Sequence, residues 1–191
     1  MTDASALHEP WASDVARATD ALARFDRAAG TAGDGPLRER LTSLRPVVSD
    51  AVDRCASVAV EGQQLSRTLA ELGPDRIAAE LKDARRAAAA ATAGSPVAEA
   101  MAARVSAAEA QYRVVHRMWD AVDGARARIA ADLARLDELV ARTLELTLLP
   151  PGDGAEGVVD VRRQLDDVVD DLDALRQAFA ELQRPGAGTR P

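Results

Sequence analysis

The chain is poor in the residues from which sites are usually built. It has one cysteine, two histidines, five aromatic side chains and no asparagine in 191 residues. A lone cysteine, Cys55, excludes an intrachain disulfide framework and suits a reducing compartment, so a cytoplasmic location is expected. Lys82 is the only lysine, and 24 basic residues stand against 31 acidic ones for a formal charge of −7. Because Arg is mixed with Asp and Glu along every segment, there is no basic footprint for phosphates, and nucleic acid is not an expected partner. No stretch approaches the roughly 20 consecutive apolar residues of a membrane span. Met1 to Pro10 lacks the cationic start and apolar core of a signal peptide.

The same scarcity removes most catalytic constellations. Neither His8 nor His116 follows a Glu by three residues, the spacing that di-metal bundles use. The Gly30 to Gly35 cluster has no Lys-Ser or Lys-Thr pair and follows a helix rather than a strand, unlike a phosphate-binding loop. Cys55 has no His nearby and sits on an apolar position, which reads as a core thiol. No enzyme activity, cofactor, metal or small-molecule substrate is therefore expected.

What is abundant is alanine, with leucine, arginine and acidic residues, a composition that loses little side-chain entropy in helices and predicts an all-α fold. Apolar residues recur at steps of four and three over five stretches, the pattern of coiled-coil seams. The longest is Met101, Val105, Ala108, Tyr112, Val115, Trp119, Val122, then Arg126 as an interruption, then Ile129, Leu133, Leu136 and Val140.

The breakers set the boundaries. Helices are predicted at about 10–29, 37–72, 74–92, 96–149 and 157–183, in a single helical domain at 10–183 with disordered ends at 1–9 and 184–191. Pro46 falls on the outward face of the second helix, so a kink is expected there rather than a reversal. Gly73 and Pro74 break the chain next, and Gly94-Ser95-Pro96 combines a helix stop with an N-cap and a proline at the first helical position. Two arms of similar length, roughly 80 Å at about 1.5 Å per residue, then form a long antiparallel helical hairpin. The short N- and C-terminal helices reach only one end of it, where they complete a four-helix bundle. The Ala-rich stretch from Ala84 to Ala110 forms a tip that buries little and is less stable.

Four residues stand out as possible partner-binding positions. Arg126 is a charge on a seam, which would fix register if the arms bring it near Gly62, where the missing side chain leaves room. Tyr112 and Trp119 on the seam, with Met118 beside them, are bulky residues close to where the outer helices end, and such residues concentrate at interface centres. His116 is expected to be a partly solvated neighbour of Asp120. Asp166 with Asp170, and Asp167 with Asp171, are expected to be solvated or paired with Arg162, Arg163 or Arg176.

The leading expectation is a coiled-coil interaction or scaffold protein, presenting its hairpin to its own copy or to a protein partner. The order of a short amphipathic helix, a long hairpin and further helices resembles the phage-shock and ESCRT-III architecture, which implies a peripheral membrane protein as the alternative. Against that, the polar face of the first helix mixes Asp14, Asp20 and Asp26 with Arg17, Arg24 and Arg27, whereas anionic lipid favours a cationic face. A phosphorelay bundle using His116 is a third reading, although the residues around His116 lack the usual phosphotransfer pattern.

Overall fold

The three-and-four periodicity folds into five helices among the described residues, with no strand: α1 (Trp11–Thr31), α2 (Pro36–Leu72), α3 (Pro74–Ala90), α4 (Pro96–Thr147) and α5 (Ala155–Gln183). The computed structural model describes residues 6–149 and 154–183. The expected tail at 184–191 lies outside the described residues, as do residues 150–153 of the break expected between the helices at 96–149 and 157–183. Residues 1–5 lie outside them too, and from Ala6 onward the N-terminal stretch is placed against α2. The His8 backbone N–H donates to Gln63 Oε1 at 2.5 Å, and Gln63 Nε2 donates to the Ala6 carbonyl at 3.1 Å.

Local chemistry accounts for the helix ends. Gly73 and Gly94 take positive φ of 63° and 75°, a conformation that only glycine adopts without strain, and each closes a helix connection. Ser95 Oγ accepts the Ala98 N–H at 3.1 Å, the N-cap expected from the sequence. Pro46 lies inside α2 on its exposed side, so the carbonyl deprived of a partner can bond water and the helix continues. No helix among the described residues is long and apolar enough to cross a membrane.

Contacts divide the chain into two compact units, one made of residues up to Gln63 together with Ala125–Gln183, the other of Gln64–Gly124. The first unit is a helical bundle of α1, the front of α2, the back of α4 and α5. Phe25, Leu41, Val48, Val58, Ile129, Leu136, Leu165, Leu172 and Phe179 are fully buried in it. Arginine–aspartate pairs join neighbouring helices: Arg45 to Asp26 links α2 to α1 at 3.0 Å, and Arg17 links α1 to Asp137 of α4 at 2.5 Å. Arg54 links α2 to Asp173 of α5, while Arg135 to Asp171 at 2.7 Å and Arg142 to Asp160 at 2.6 Å link α4 to α5. The helices therefore follow one another around the bundle as α1, α2, α5, α4. Each partly exposed pair contributes about 0–1 kcal/mol, against about 1.5–3 kcal/mol for one buried leucine or phenylalanine, so the core holds the bundle and the pairs select its arrangement.

One close approach in this unit uses a glycine. A Cβ on Gly62 would overlap the Trp11 indole, which is itself only 3% exposed. The space expected to receive Arg126 is thus filled by an aromatic ring. Because the ring is rigid and enclosed, Gly62→Ala should destabilise the protein by about 1–3 kcal/mol despite alanine's better helix propensity, as read by urea denaturation.

The second unit contains the end of α2, all of α3 and the front of α4. Its buried apolar residues are Leu65, Leu69, Ile77, Leu81, Ala84, Val115 and Val122, and Arg85 of α3 bonds Glu109 of α4 at 2.8 Å. Between Ala84 and Val115 no residue is fully buried. Amide hydrogens at 86–110 should therefore exchange at least about tenfold faster than those at 41–59, as followed by mass spectrometry.

Candidate functional site

The buried face of α4 runs through Val115, Val122, Ile129, Leu136 and Thr143, seven residues apart, and through Ala125, Asp132, Leu139 and Leu146 between them. Half-buried Met118 continues the second series towards the N-terminus. The seam expected from sequence alternates differently, through Tyr112, Trp119, Arg126, Leu133 and Val140. Both alternations step by three and four, and they differ by one residue in every second position.

The structure corrects that choice at two positions. Arg126 is exposed, and its predecessor Ala125 occupies the seam at 2% exposure. An arginine there would have to be desolvated, whereas one residue further on the guanidinium reaches water. Arg126 faces the Asp14 side of α1, where its positive charge opposes the upward push that burial exerts on the Asp14 carboxyl. Trp119 likewise leaves the seam to Met118 and is 44% exposed. Leu133 and Val140, at the same heptad position, are buried as expected, because in the bundle a wider stripe of α4 is covered.

On α4 of the second unit, Tyr112, His116 and Trp119 follow one another at helical spacing along a flank beside the seam. The rings of Tyr112 and His116 meet edge to face, their centroids 5.5 Å apart. His116 is exposed, with Nδ1 3.6 Å from Asp120 Oδ1, the solvated arrangement expected of it. Arg113, Arg117 and Asp123 are exposed beside this stripe and form no ion pair among the described residues. Tyr112, Met118 and Trp119 thus lie within eight residues on the front of α4, Met118 on the seam and the other two on its flank, and Arg126 lies in the other unit.

Asp132 was not singled out by sequence, and it carries the most perturbed carboxyl in the bundle. It is 4% exposed; Oδ1 accepts from Arg135 at 3.2 Å, and Oδ2 is buried without a hydrogen bond among the described residues. Burial pushes its pKa up to about 6, the Asp171 charge adds to the rise, and Arg135 and Arg128 oppose it. The signal was present in its seven-residue spacing from Ala125 and Leu139. Across the core, burial pushes the free Cys55 thiol up to about 12, helped by the charges of Asp14 and Asp132, so it stays protonated at neutral pH. Asp137 shows the opposite balance: burial disfavours its charge, but hydrogen bonds from Arg24 and Arg17 hold it below the usual carboxylate range.

The acidic pairs of α5 are divided among partners and solvent. Asp166 pairs with Arg162 at 3.3 Å and Asp171 with Arg135, while Asp167 and Asp170 are exposed. Among the described residues no group of three His, Cys, Asp or Glu side chains is placed to hold a metal ion. Compared with protein-family models, with curated proteins and with solved structures, the chain matches none.

Asp132 gives the bundle a testable pH dependence. Its ordinary value is 3.8 and its folded value about 6, so between these the folded chain binds a proton that the unfolded chain releases. Stability should rise as pH falls from 7 to 5, on the order of 1–2 kcal/mol. The upward shifts of Asp14 and Glu61 act in the same direction, both caused chiefly by burial. Asp132→Asn should be more stable than the parent at pH 7 and should flatten this slope, as measured by urea midpoints at both pH values.

Proposed function

We propose that the chain is a non-enzymatic coiled-coil interaction or scaffold protein of a reducing compartment such as the cytoplasm. Its second unit acts as an antiparallel helical hairpin, closed at Gly94, that offers the Tyr112–Trp119 flank of α4 to another helix. One observation carries this reading. The heptad position filled by Trp119 is the position at which Leu133 and Val140 are buried, yet Trp119 is 44% exposed. A large apolar side chain thus stands on a bundle-type position with no helix over it, and aromatic side chains of this kind anchor interfaces.

The first helix favours this reading over the membrane-surface alternative. α1 buries Trp11, Val15, Ala18 and Phe25 inside the bundle, which leaves it no free apolar face for a lipid surface. Its Arg17 and Arg24 are engaged by Asp137.

A photo-crosslinking benzophenone amino acid placed at position 119 in the producing cell tests the proposal. Light should convert the chain into a defined higher-mass adduct, whereas the same group at exposed Arg40 on α2 should give none. Absence of any adduct from position 119 would overturn the reading.

A further inference from the structure

We propose that the helix covering the Tyr112–Trp119 flank is the same segment of a second copy of this chain, lying antiparallel across a two-fold axis beside Met118. The inference rests on the interaction reading above and names its partner. The charges along the flank carry the argument. Arg113 and Arg117 lie on the N-terminal side of Met118, and Asp120 and Asp123 on the C-terminal side. Antiparallel pairing sets Arg113 of one copy opposite Asp123 of the other, and Arg117 opposite Asp120. Both pairs are centred on Met118 to within about half a residue, so one axis satisfies them together, twice over by symmetry.

The residues are also available for such pairing. At about 100° per residue, Tyr112, Arg113, His116, Arg117, Trp119, Asp120 and Asp123 fall within one half of the helix circumference. Arg113, Arg117 and Asp123 form no ion pair among the described residues, and Asp120 meets only His116, at 3.6 Å. In the first unit, by contrast, Arg17, Arg45, Arg54, Arg135 and Arg142 are each bound by an aspartate of a neighbouring helix.

Long-range electrostatics permit this contact where they oppose others. Residues 64–124 hold eight basic and eight acidic side chains, so the chain's charge of −7 resides outside the second unit. Two copies meeting through the second unit avoid the like-charge repulsion that the acidic remainder imposes. The exposed Trp119 rings, level with the axis along the helix, meet at one margin of the contact, and the four Arg–Asp pairs across the rest of the face set its direction.

Sedimentation equilibrium of the full chain at low salt tests the proposal, with circular dichroism reporting helicity. The parent should have the mass of two chains. R113E/R117E and D120R/D123R should each raise the dissociation constant at least about tenfold, because every facing pair becomes like-charged. Trp119→Ala, which removes mainly exposed atoms, should weaken the dimer independently of charge. Mixing the two charge-reversed variants should restore a dimer, since all facing pairs are then opposite again. A monomeric parent, a dimer unaffected by these changes, or no recovery on mixing would each overturn the inference. If the parent is monomeric while the crosslinker at position 119 captures a different protein, the second-copy partner fails and the interaction reading stands. Loss of every adduct removes the interaction reading itself.

Discussion

Burial of one seam on α4 is the constraint from which the other features follow. The buried positions from Val115 to Leu146 repeat at seven residues in two interleaved series, which keeps them along one stripe of α4. That seam serves both units, with different company. From Ala125 onward the adjacent positions Leu133 and Val140 are buried as well, because a bundle covers a broad stripe. Before Gly124 only the narrow stripe is covered, and the same adjacent position leaves Trp119 in solvent. The exposed aromatic therefore follows from a change in how many helices flank α4, with no change in the heptad repeat.

Polar groups on the seam show how a bundle tolerates them. Thr143 is fully buried and satisfies its hydroxyl locally, donating to the Leu139 carbonyl at 2.8 Å. Asp132 has no equivalent solution for both oxygens, so its charge is disfavoured and protonation is the available relief. A carboxylic acid can neutralise itself in this way near neutral pH, whereas a guanidinium cannot. This difference accounts for α4 burying Asp132 and turning Arg126 outward. Asp137 solves the same problem differently, since Arg17 and Arg24 of α1 reach its carboxylate at the bundle rim.

Much of the fold was legible because breakers and stripes agreed. Along α2, apolar residues spaced three, four or seven apart, Leu41, Leu44, Val48, Ala51, Cys55, Val58, Leu65 and Leu69, are all buried, while Leu37 and Leu72 at the two ends of the same stripe are half-buried. Gly73, Gly94 and Ser95 act at the boundaries they were expected to mark, although α1 runs on through Thr31 and α5 begins at Ala155. The register of α4 was less legible for a physical reason. A seam through Trp119, Arg126, Leu133 and Val140 and one through Met118, Ala125, Asp132 and Leu139 each carry a single charged residue, so the apolar pattern alone does not separate them. Local pattern also could not show that Gly62 faces Trp11, because that contact joins residues far apart in the chain. The Tyr112–Met118–Trp119 cluster was legible as composition, but its exposure depends on which helices are absent beside it.

That dependence also bears on the composition of the flank. A helix covered along only a narrow stripe needs apolar residues only at that seam, and water favours polar side chains on both shoulders. Single exposed apolar residues are common and require no explanation. Here the exposed tryptophan is embedded in a charge pattern that changes sign along the helix, and Arg113, Arg117 and Asp123 have no ion-pair partner among the described residues. Opposite signs on successive turns would be expected to pair within a helix at three- or four-residue spacing. Arg113 and Arg117 are instead four apart with the same sign, and Asp120 and Asp123 three apart with the same sign, so these two pairs repel, while Arg117 and Asp120, three apart, attract. Segregated like charges weaken an isolated helix slightly, and an inverted copy of the pattern facing them would offset this. Under the proposed pairing, the flank's own reverse supplies opposite charges that its neighbours along the helix only partly provide.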